Sequence, residues 1–480
     1  MNQFELIIKG GRIATAADVF HADIGIKDGR IAALADNLDS ADRVIDAAGA
    51  TITPGGVDGH CHLDQPSLDG SVCADDFTSG TRSAVAGGTT TVIPFALQLR
   101  GQSLKEAIKD YHQRSDGKAL VDYAFHLIVT DPNQQVCGQE LPALLQDGYS
   151  SFKIYMTYDD LKLDDRQILD VLSVARRHQG MVMIHAENSE CITWLTDKLE
   201  QAGKLAPKYH ATSRPRPVER EATHRAITLA ELLDVPVLIV HVSAREAVQE
   251  IQRAQARGLK VYGETCPQYM FLTEDDLDKP GFEGAKCICS PPPRDKENQQ
   301  VIWDGVANGT FQVISSDHSP SRYEDPQGKM LQGEDASFRV VPNGIPGIET
   351  RMPLLFSEGV GKGRIDLQTF VALTATNAAR IYGLYPRKGT IAIGSDADMV
   401  IWDDRREVTI TNDILHHNVD YTPYEGIQVT GWPRTVLSRG KVVVENNEIV
   451  GKPGDGQFLP CDPPEKAAPL GRPVSDFQPT

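Results

Sequence analysis

The sequence predicts an α/β protein: a (β/α)8 TIM-like barrel with a small β-sandwich domain assembled from the N- and C-terminal segments. Three observations lead to this fold class. Eight apolar, β-branched segments alternate with helical stretches through the middle of the chain, which is typical of parallel β/α architecture. Short strands joined by Gly turns occupy the first fifty residues, and the same pattern returns near the end. The length of 480 residues accommodates both units.

The terminal segments carry the strand pattern of the small domain. LIIKGGRIAT turns at its Gly-Gly pair, and TVLSRGKVVVENNEIV has strands on either side of Arg439-Gly440. Neither segment can bury a core alone, so we expect the two to pack together. The predicted composite β-sandwich comprises residues 1–54 and 388–450.

The catalytic barrel is predicted over residues 55–387. Its strand candidates are almost continuously apolar, as in strands that are buried on both faces. Segments 164–177 and 245–257 between them have helical periodicity with charged outer positions. The candidate strands are 57–62, 89–97, 122–130, 150–156, 181–186, 236–241, 260–265 and 311–317.

Residues 451–480 are predicted to form a Pro-rich C-terminal tail, because they contain seven Pro and no periodic pattern. We expect the tail to lie in extended form along a surface or a neighbouring subunit, or to be partly disordered.

Composition and charge exclude several function classes. The chain has 48 Lys+Arg against 66 Asp+Glu, a net charge of −18, so no nucleic-acid partner is expected. No apolar stretch reaches the ~18 residues of a membrane span, and the start MNQFELIIKGG lacks signal-peptide features. A cytoplasmic protein with no membrane partner is therefore predicted. The eight cysteines contain no CxxC pair, which favours reduced thiols.

Metal-competent side chains follow the predicted strands, at the barrel end where active sites lie. His60 and His62 are alternate residues at a strand end, so both can bind one ion. His185, His241 and Asp317 close three further strands. A single such His is more often a hydrogen-bonded core residue, but the five residues together favour a metal site. Imidazole with carboxylate suits Zn²⁺ first, with Mn²⁺, Fe²⁺ or Co²⁺ as alternatives.

Lys153 lies in another of these strands, although an ammonium group repels a metal and is costly to bury unpaired. Three interpretations stay open from the residues alone. Lys153 is a core lysine whose head reaches solvent, a Schiff-base or general-base lysine with a lowered pKa, or a chemically modified ligand.

A series of motifs runs from the first barrel strand onward. In the order and spacing of these motifs the chain resembles the cyclic amidohydrolases, and within them the dihydropyrimidinase and hydantoinase family. The resemblance extends to about Val450. The motifs are PGGVDGHCHLD (54–64), GGTTTVIPFA (87–96), SFKIYMTY (151–158), IHAEN (184–188), VHVS (240–243), ETCPQY (264–269), CSPPPR (289–294), SSDHSP (315–320) and PNGIPGIETR (342–351).

The resemblance implies two divalent metal ions per subunit, bridged by Lys153 as N6-carboxylysine. Asp317 would bind the first metal and act as the general base. The histidine ligands would be His60 and His62 for one ion, and His185 and His241 for the other.

The resemblance also implies substrate contacts. Tyr158 would donate to the oxyanion, while Ser290 and Asn343 would hold the amide edge of the substrate through their main chain. From the residues alone, Tyr158 also suits an ordinary rim aromatic, and Ser290 suits a turn.

The implied reaction is hydrolytic ring opening of a cyclic amide or ureide, such as 5,6-dihydrouracil or a hydantoin, by a hydroxide that bridges the two metals. The product is an N-carbamoyl amino acid. The alternatives are another cyclic amidohydrolase activity (allantoinase or imidase) and a non-catalytic structural relative, against which the complete ligand set counts. Dihydroorotase is disfavoured because position 64 is Asp rather than Arg. Relatives are commonly homo-oligomers, so a tetramer or dimer is expected.

Some positions depart from the family pattern. The segment Gln65–Leu68 replaces a more apolar loop, Thr157 stands where Ala is common, and Asp159-Asp160 replace a more usual Lys. We therefore expect unsubstituted dihydrouracil, an imide or a ureide with a polar substituent to suit the site better than an aryl hydantoin.

Overall fold

Residues 3–472 are described by a computed structural model, in which a barrel of parallel strands joins a nine-stranded mixed sheet. Residues 473–480, the end of the predicted tail, lie outside the described residues. The strands are β1 (Phe4–Ala14), β2 (Val19–Lys27), β3 (Arg30–Ala35), β4 (Ala41–Asp46), β5 (Thr51–Pro54), β6 (Gly56–Cys61), β7 (Thr89–Leu97), β8 (Asp122–Tyr123), β9 (His126–Ile128), β10 (Ser151–Tyr155), β11 (Met181–His185), β12 (Val237–Ile239), β13 (Val261–Thr265), β14 (Val313–Ile314), β15 (Met399–Thr409), β16 (Gln428–Ser438), β17 (Lys441–Glu445) and β18 (Glu448–Ile449).

Helices connect the barrel strands and cover its outside. The α-helices are α1 (Phe77–Ala86), α2 (Leu104–Ser115), α3 (Leu141–Gln146), α4 (Asp165–His178), α5 (Ser189–Gln201), α6 (Tyr209–Ser213), α7 (Arg216–Leu232), α8 (Arg245–Ala256), α9 (Gln268–Phe271), α10 (Lys296–Ala307), α11 (Arg351–Leu355), α12 (Leu367–Val371) and α13 (Asn377–Tyr382). Short 3₁₀ or π turns are Val136–Glu140, Glu274–Leu277, Glu283–Cys287, Phe338–Val340, Phe356–Gly361, Ala372–Thr376, Asn412–Ile414 and Glu465–Ala467.

Helix α4 shows how the sequence encodes these connections. Asp164 accepts a hydrogen bond from the Gln167 amide, and the Gln167 side chain accepts one from the Asp164 amide, which forms a capping box. Ile168, Leu172 and Ala175 are buried at the spacing of one helix face. The helix therefore covers the barrel where periodicity predicts it.

The barrel sheet runs in the order β6–β7–β9–β10–β11–β12–β13–β14, and all its pairs are parallel. It closes beyond β14, where the Asp317 amide donates to the His60 carbonyl (2.9 Å) and the His62 amide donates to the His318 carbonyl (2.7 Å). The predicted fold class is confirmed.

The third predicted strand, 122–130, is divided into β8 and β9. Strand β8 pairs with β7 on one side only. On its other side the tail takes the place of a barrel strand, because the Tyr123 amide donates to the Gln457 carbonyl and the Leu459 amide donates to the Tyr123 carbonyl. This tail contact interrupts the strand.

The nine-stranded sheet combines both ends of the chain, in the order β18–β17–β16–β15–β5–β1–β2–β3 with β4 paired to β1. Strand β15 pairs antiparallel with β5, which joins the C-terminal strands to the N-terminal ones. Ile8, Ile24, Ile52, Met399 and Leu437 are buried in its core. We retain 1–54 plus 388–450, 55–387 and 451–480 as our proposed division into domains.

A buried ion cluster ties the sheet to the barrel. The Lys388 ammonium lies 2.7 Å from both Asp122 and Asp398 and 3.1 Å from Asp396. Asp122 begins β8, whereas Asp396 and Asp398 precede β15. Lys388 therefore joins three carboxylates at the amino-terminal face of the barrel, where Arg439 also pairs with Asp122 and Arg387 with Asp396.

The described part of the tail, 451–472, is extended and crosses this amino-terminal face. Its main chain bonds to residues at or just before successive barrel strands, and Leu459 is fully buried. These barrel partners are Tyr123, Gly148, Gln179, Tyr262 and Asp234.

All eight cysteines are free thiols, as predicted. None of the helices in 3–472 is long and apolar enough to cross a membrane.

Replacement of Leu459 by Ala should lower the free energy of unfolding by about 2–5 kcal/mol, because it leaves a cavity under the tail. The measurement is chemical denaturation of the purified protein. Val450→Ala is the matched control, since Val450 is 44% exposed and its loss should change stability by about 0.5 kcal/mol or less. Equal effects of the two substitutions would show that the tail does not stabilise the barrel.

Candidate active site

The residues predicted to form a site line a single cavity of about 690 Å³ at the carboxyl ends of the barrel strands. The structure brings together every predicted site residue: His60, His62, Lys153, Tyr158, His185, His241, Ser290, Asp317 and Asn343.

Strand closure forms a cluster of two imidazoles and one carboxylate. The Nε2 atoms of His60 and His62 lie 3.2 and 3.4 Å from Asp317 Oδ1. The candidate ligand atoms of the three residues all lie within 4.8 Å of one another. Burial raises the pKa of Asp317, but His60 and His62 lower it by a larger amount, so the pKa lies below its usual range. The carboxylate is therefore anionic at neutral pH and can serve as ligand or base.

The other nitrogen of each ring is held by a neighbouring side chain. Glu264 Oε1 lies 2.7 Å from His60 Nδ1, and Gln65 Oε1 lies 2.7 Å from His62 Nδ1. The Gln65 amide oxygen on Nδ1 fixes the tautomer of His62 in which Nε2 is the lone-pair donor, and Glu264 does the same for His60 in its carboxylate form. Both Nε2 atoms are thus prepared to bind a metal.

His185 and His241 form a second pair beside the first. Their ring centroids are 4.4 Å apart, and the His241 ring lies 5.4 Å from that of His60. Glu187 Oε2 lies 2.8 Å from His185 Nε2, while the buried Nδ1 of His241 has no hydrogen-bond partner among the described residues. Burial lowers the pKa of His185 and of His241, which keeps both rings neutral, as metal ligands must be.

Lys153 projects from β10 into the same space. Its Nζ lies 3.3 Å from His60 Nε2, and no carboxylate of residues 3–472 forms an ion pair with it. Burial lowers the pKa of Lys153 to about 8, although the charges of Glu264 and Asp317 oppose the shift. A substantial fraction of this amine is neutral near pH 8 and can react with carbon dioxide.

Tyr158 occupies the left-handed backbone region, with φ of 68°. Its ring lies 5.4 Å from that of His185, and the Arg214 guanidinium lies 5.4 Å from its centroid. Burial raises the pKa of Tyr158 to about 12, so its hydroxyl is protonated at neutral pH and can donate a hydrogen bond.

Ser290 and Asn343 come from two different loops and meet in the cavity wall. The Ser290 hydroxyl donates to Asn343 Oδ1 at 2.9 Å. Because the side chains bond to each other, the main chain of both residues remains the candidate surface for a ring amide.

Three important polar residues had no role in the sequence prediction. Glu264 and Glu187 stand in the quoted motifs ETCPQY and IHAEN, and their position beside candidate ligands was the available signal. Arg214 had no such signal, because it reaches Glu187 (2.8 Å) from a loop before α7. Burial raises the pKa of Glu187, but Arg214 and His185 outweigh this effect and lower the pKa to about 2. Burial raises the pKa of Glu264 to about 8.

Comparisons with known proteins agree with this geometry. The amidohydrolase family model matches residues 51–443. D-hydantoinase of Rhizobium radiobacter is 45% identical over 95% of this chain and 98% of its own, and D-hydantoinase of Geobacillus stearothermophilus is 46% identical over 94% and 96%. The crystal structure of dihydropyrimidinase from Brevibacillus agri is 43% identical with a TM-score of 0.92, covering 97% of this chain and 99% of its own.

Arg214→Met should lower the free energy of unfolding by about 3–5 kcal/mol, because it leaves the Glu187 carboxylate buried without its cation. Denaturation of the purified variant measures the change. The double variant Arg214→Met/Glu187→Gln should recover part of it, since the uncompensated charge is then gone.

Arg216→Met is the matched control, two residues along the chain. Arg216 is partly exposed and pairs with Glu246 and Asp295, so its loss should change the free energy of unfolding by about 1 kcal/mol or less. Equal losses at positions 214 and 216 would contradict the role of the buried pair.

Proposed function

The chain belongs to the amidohydrolase family, as a cyclic amide hydrolase of the hydantoinase and dihydropyrimidinase type, and we propose that it opens 5,6-dihydrouracil or a hydantoin to an N-carbamoyl amino acid. One observation carries the proposal. The residues predicted as metal ligands and as substrate contacts all line one cavity at the carboxyl ends of the strands.

The family has a binuclear site for divalent metals, and the residues of this chain fit one. Three features support the fit: the His-His-Asp cluster, the buried His241 nitrogen that has no hydrogen-bond partner within residues 3–472, and the Lys153 amine placed against an imidazole. Carboxylation would turn that amine into an anion and remove the mismatch between a cation and a metal site.

We assign the ligands as the sequence predicts them. His60, His62 and Asp317 would hold one ion, His185 and His241 would hold the other, and Lys153 as N6-carboxylysine would bridge both. Zn²⁺ is our proposed metal, with Mn²⁺, Fe²⁺ or Co²⁺ as alternatives.

When bound, the metals supply Lewis acidity, which makes hydroxide available at neutral pH and polarises the ring carbonyl. Asp317 accepts the proton of the attacking water and delivers it to the departing ring nitrogen. The Tyr158 hydroxyl donates to the carbonyl oxygen as negative charge develops there. The main chain of Ser290 and Asn343 holds the amide edge, so that the scissile C–N bond lies beside Asp317.

The cavity mouth indicates which ring substituent suits the site. Ser67, Asp159 and Asp160 line the mouth, beside the apolar side chains of Leu68 and Leu161. An aryl group would desolvate these carboxylates, and contact with the two leucines would offset that cost only in part. We therefore propose dihydrouracil, or a ring with a polar substituent, as the preferred substrate.

Three further features stay proposals. We propose a cytoplasmic location, and a homo-oligomer, tetramer or dimer, as the working form. Allantoinase or imidase activity is the second candidate function, because the polar mouth also suits a ureide or imide ring.

Lys153→Ala should lose tightly bound metal and all measurable turnover, because the variant cannot form the bridging carbamate. Elemental analysis after gel filtration, with a turnover assay on the same sample, measures both. Lys198→Ala, at an exposed lysine of α5, should keep full metal content and activity. A metal-loaded, active Lys153→Ala protein would exclude the proposed ligand set.

A substrate panel on metal-analysed protein tests the reaction itself. We expect a higher kcat/KM for dihydrouracil than for 5-phenylhydantoin, because the mouth is polar. Among 5-substituted hydantoins we expect the D enantiomer to react faster, as the names of the two hydantoinase relatives suggest. Faster turnover of phenylhydantoin would contradict the substituent proposal, and turnover of allantoin or phthalimide alone would favour the second candidate function.

A further inference from the structure

A buried lysine lies behind the cavity wall without lining the cavity. Lys329 belongs to the loop between β14 and α11 and is 1% exposed. No carboxylate of the described residues forms an ion pair with it. An ammonium group buried in this way requires other partners to replace its lost water.

Three backbone carbonyls supply those partners. Lys329 Nζ donates to the carbonyls of Ile288 (3.1 Å), Pro342 (2.6 Å) and Gly344 (2.6 Å). These bonds use all three N–H donors of the ammonium form, which burial disfavours by lowering the pKa of Lys329 to about 7. The Pro342 and Gly344 oxygens have no other protein donor within residues 3–472.

The three carbonyls belong to the loops that carry the proposed substrate contacts. Ser290 follows Ile288 by two residues, and Asn343 lies between Pro342 and Gly344. The Gly344 amide also donates to the Ile288 carbonyl at 3.0 Å, so the two loops are directly joined. The lysine therefore fixes the main chain on both sides of Asn343 and just before Ser290.

We propose that Lys329 is a positioning residue that sets the distance between the Ser290 and Asn343 main chains, and thereby the binding of the substrate amide edge. This inference rests on the proposed function. Without the ammonium group, the Pro342 and Gly344 carbonyls would be buried without a donor, and only the bond from the Gly344 amide to the Ile288 carbonyl would still join the two loops.

The backbone at Lys329 is itself fixed. The Lys329 amide donates to the Arg322 carbonyl at 2.7 Å. Gly328 lies too close to that carbonyl to accept a side chain. The ammonium group is thus held from a rigid turn, as a positioning role requires.

Lys329→Met keeps the length of the side chain and removes its charge and donors. We expect KM for dihydrouracil and for hydantoin to rise by about tenfold or more and by a similar factor, because both rings present the same amide edge. We expect kcat to change by less than about threefold, since the loss affects ground state and transition state alike. Metal content should stay at the wild-type level.

Lys329→Gln provides a second variant that keeps two donors, and its KM should lie between those of wild type and Lys329→Met. It carries the test if the Met variant does not fold. Lys388→Gln is the matched control, because Lys388 is equally buried but lies at the opposite face of the barrel. This control is expected to lower stability without a change in KM.

Amide hydrogen exchange of the peptide that contains residues 342–345 gives a readout that needs no substrate. Exchange should accelerate there in both Lys329 variants and not in Lys388→Gln. Unchanged KM and unchanged exchange, or equal changes in Lys388→Gln, would overturn the inference. Absence of wild-type turnover across the panel would instead overturn the proposed function, and the exchange comparison would still decide whether Lys329 holds the loops.

Discussion

The site depends on the main-chain hydrogen bonds that close the barrel. The Asp317 amide donates to the His60 carbonyl, and the His62 amide donates to the His318 carbonyl. Residues almost 260 positions apart in sequence thereby become neighbours on adjacent strands. Arg351, a buried residue at the start of α11, supports this seam by donating to the Ile314 carbonyl and to the Thr89 hydroxyl. The metal-competent cluster is thus a consequence of strand closure, and its geometry is as rigid as the sheet.

Buried acidic side chains behind the candidate ligands orient the imidazole rings. Glu264 holds a ring nitrogen of His60, and Glu187 holds one of His185. Arg214 neutralises the charge of the Glu187 carboxylate. Each of these polar groups would be costly alone in the interior, and each is placed against a hydrogen-bonding partner. A rigid sheet and a layer of fixed polar partners together leave the imidazole nitrogens of the candidate ligands little freedom, which is the condition for preorganised chemistry.

The sequence was sufficient for those parts that depend on local pattern. Each barrel strand overlaps a predicted segment, and the histidines at the ends of these segments meet because the strand ends of a barrel converge. Contacts between distant backbone atoms could not be predicted in this way. The division of 122–130 into two strands depends on pairing with Gln457 and Leu459, and the role of Lys329 depends on carbonyl groups that every residue possesses. No residue pattern distinguishes such carbonyls from others.

Chemistry and substrate choice consequently reside in different parts of the molecule. The metal-competent side chains stand on or directly after strands, where the sheet fixes them, whereas Tyr158, Ser290 and Asn343 stand on loops that require their own supports. The proposed main-chain recognition of the ring amide would be insensitive to side-chain identity, so a family could keep it while the mouth varies. In the proposed site, discrimination among substituted rings would then come from mouth residues such as Leu68 and Asp160, and a change of substrate would need no change at the metal-competent cluster.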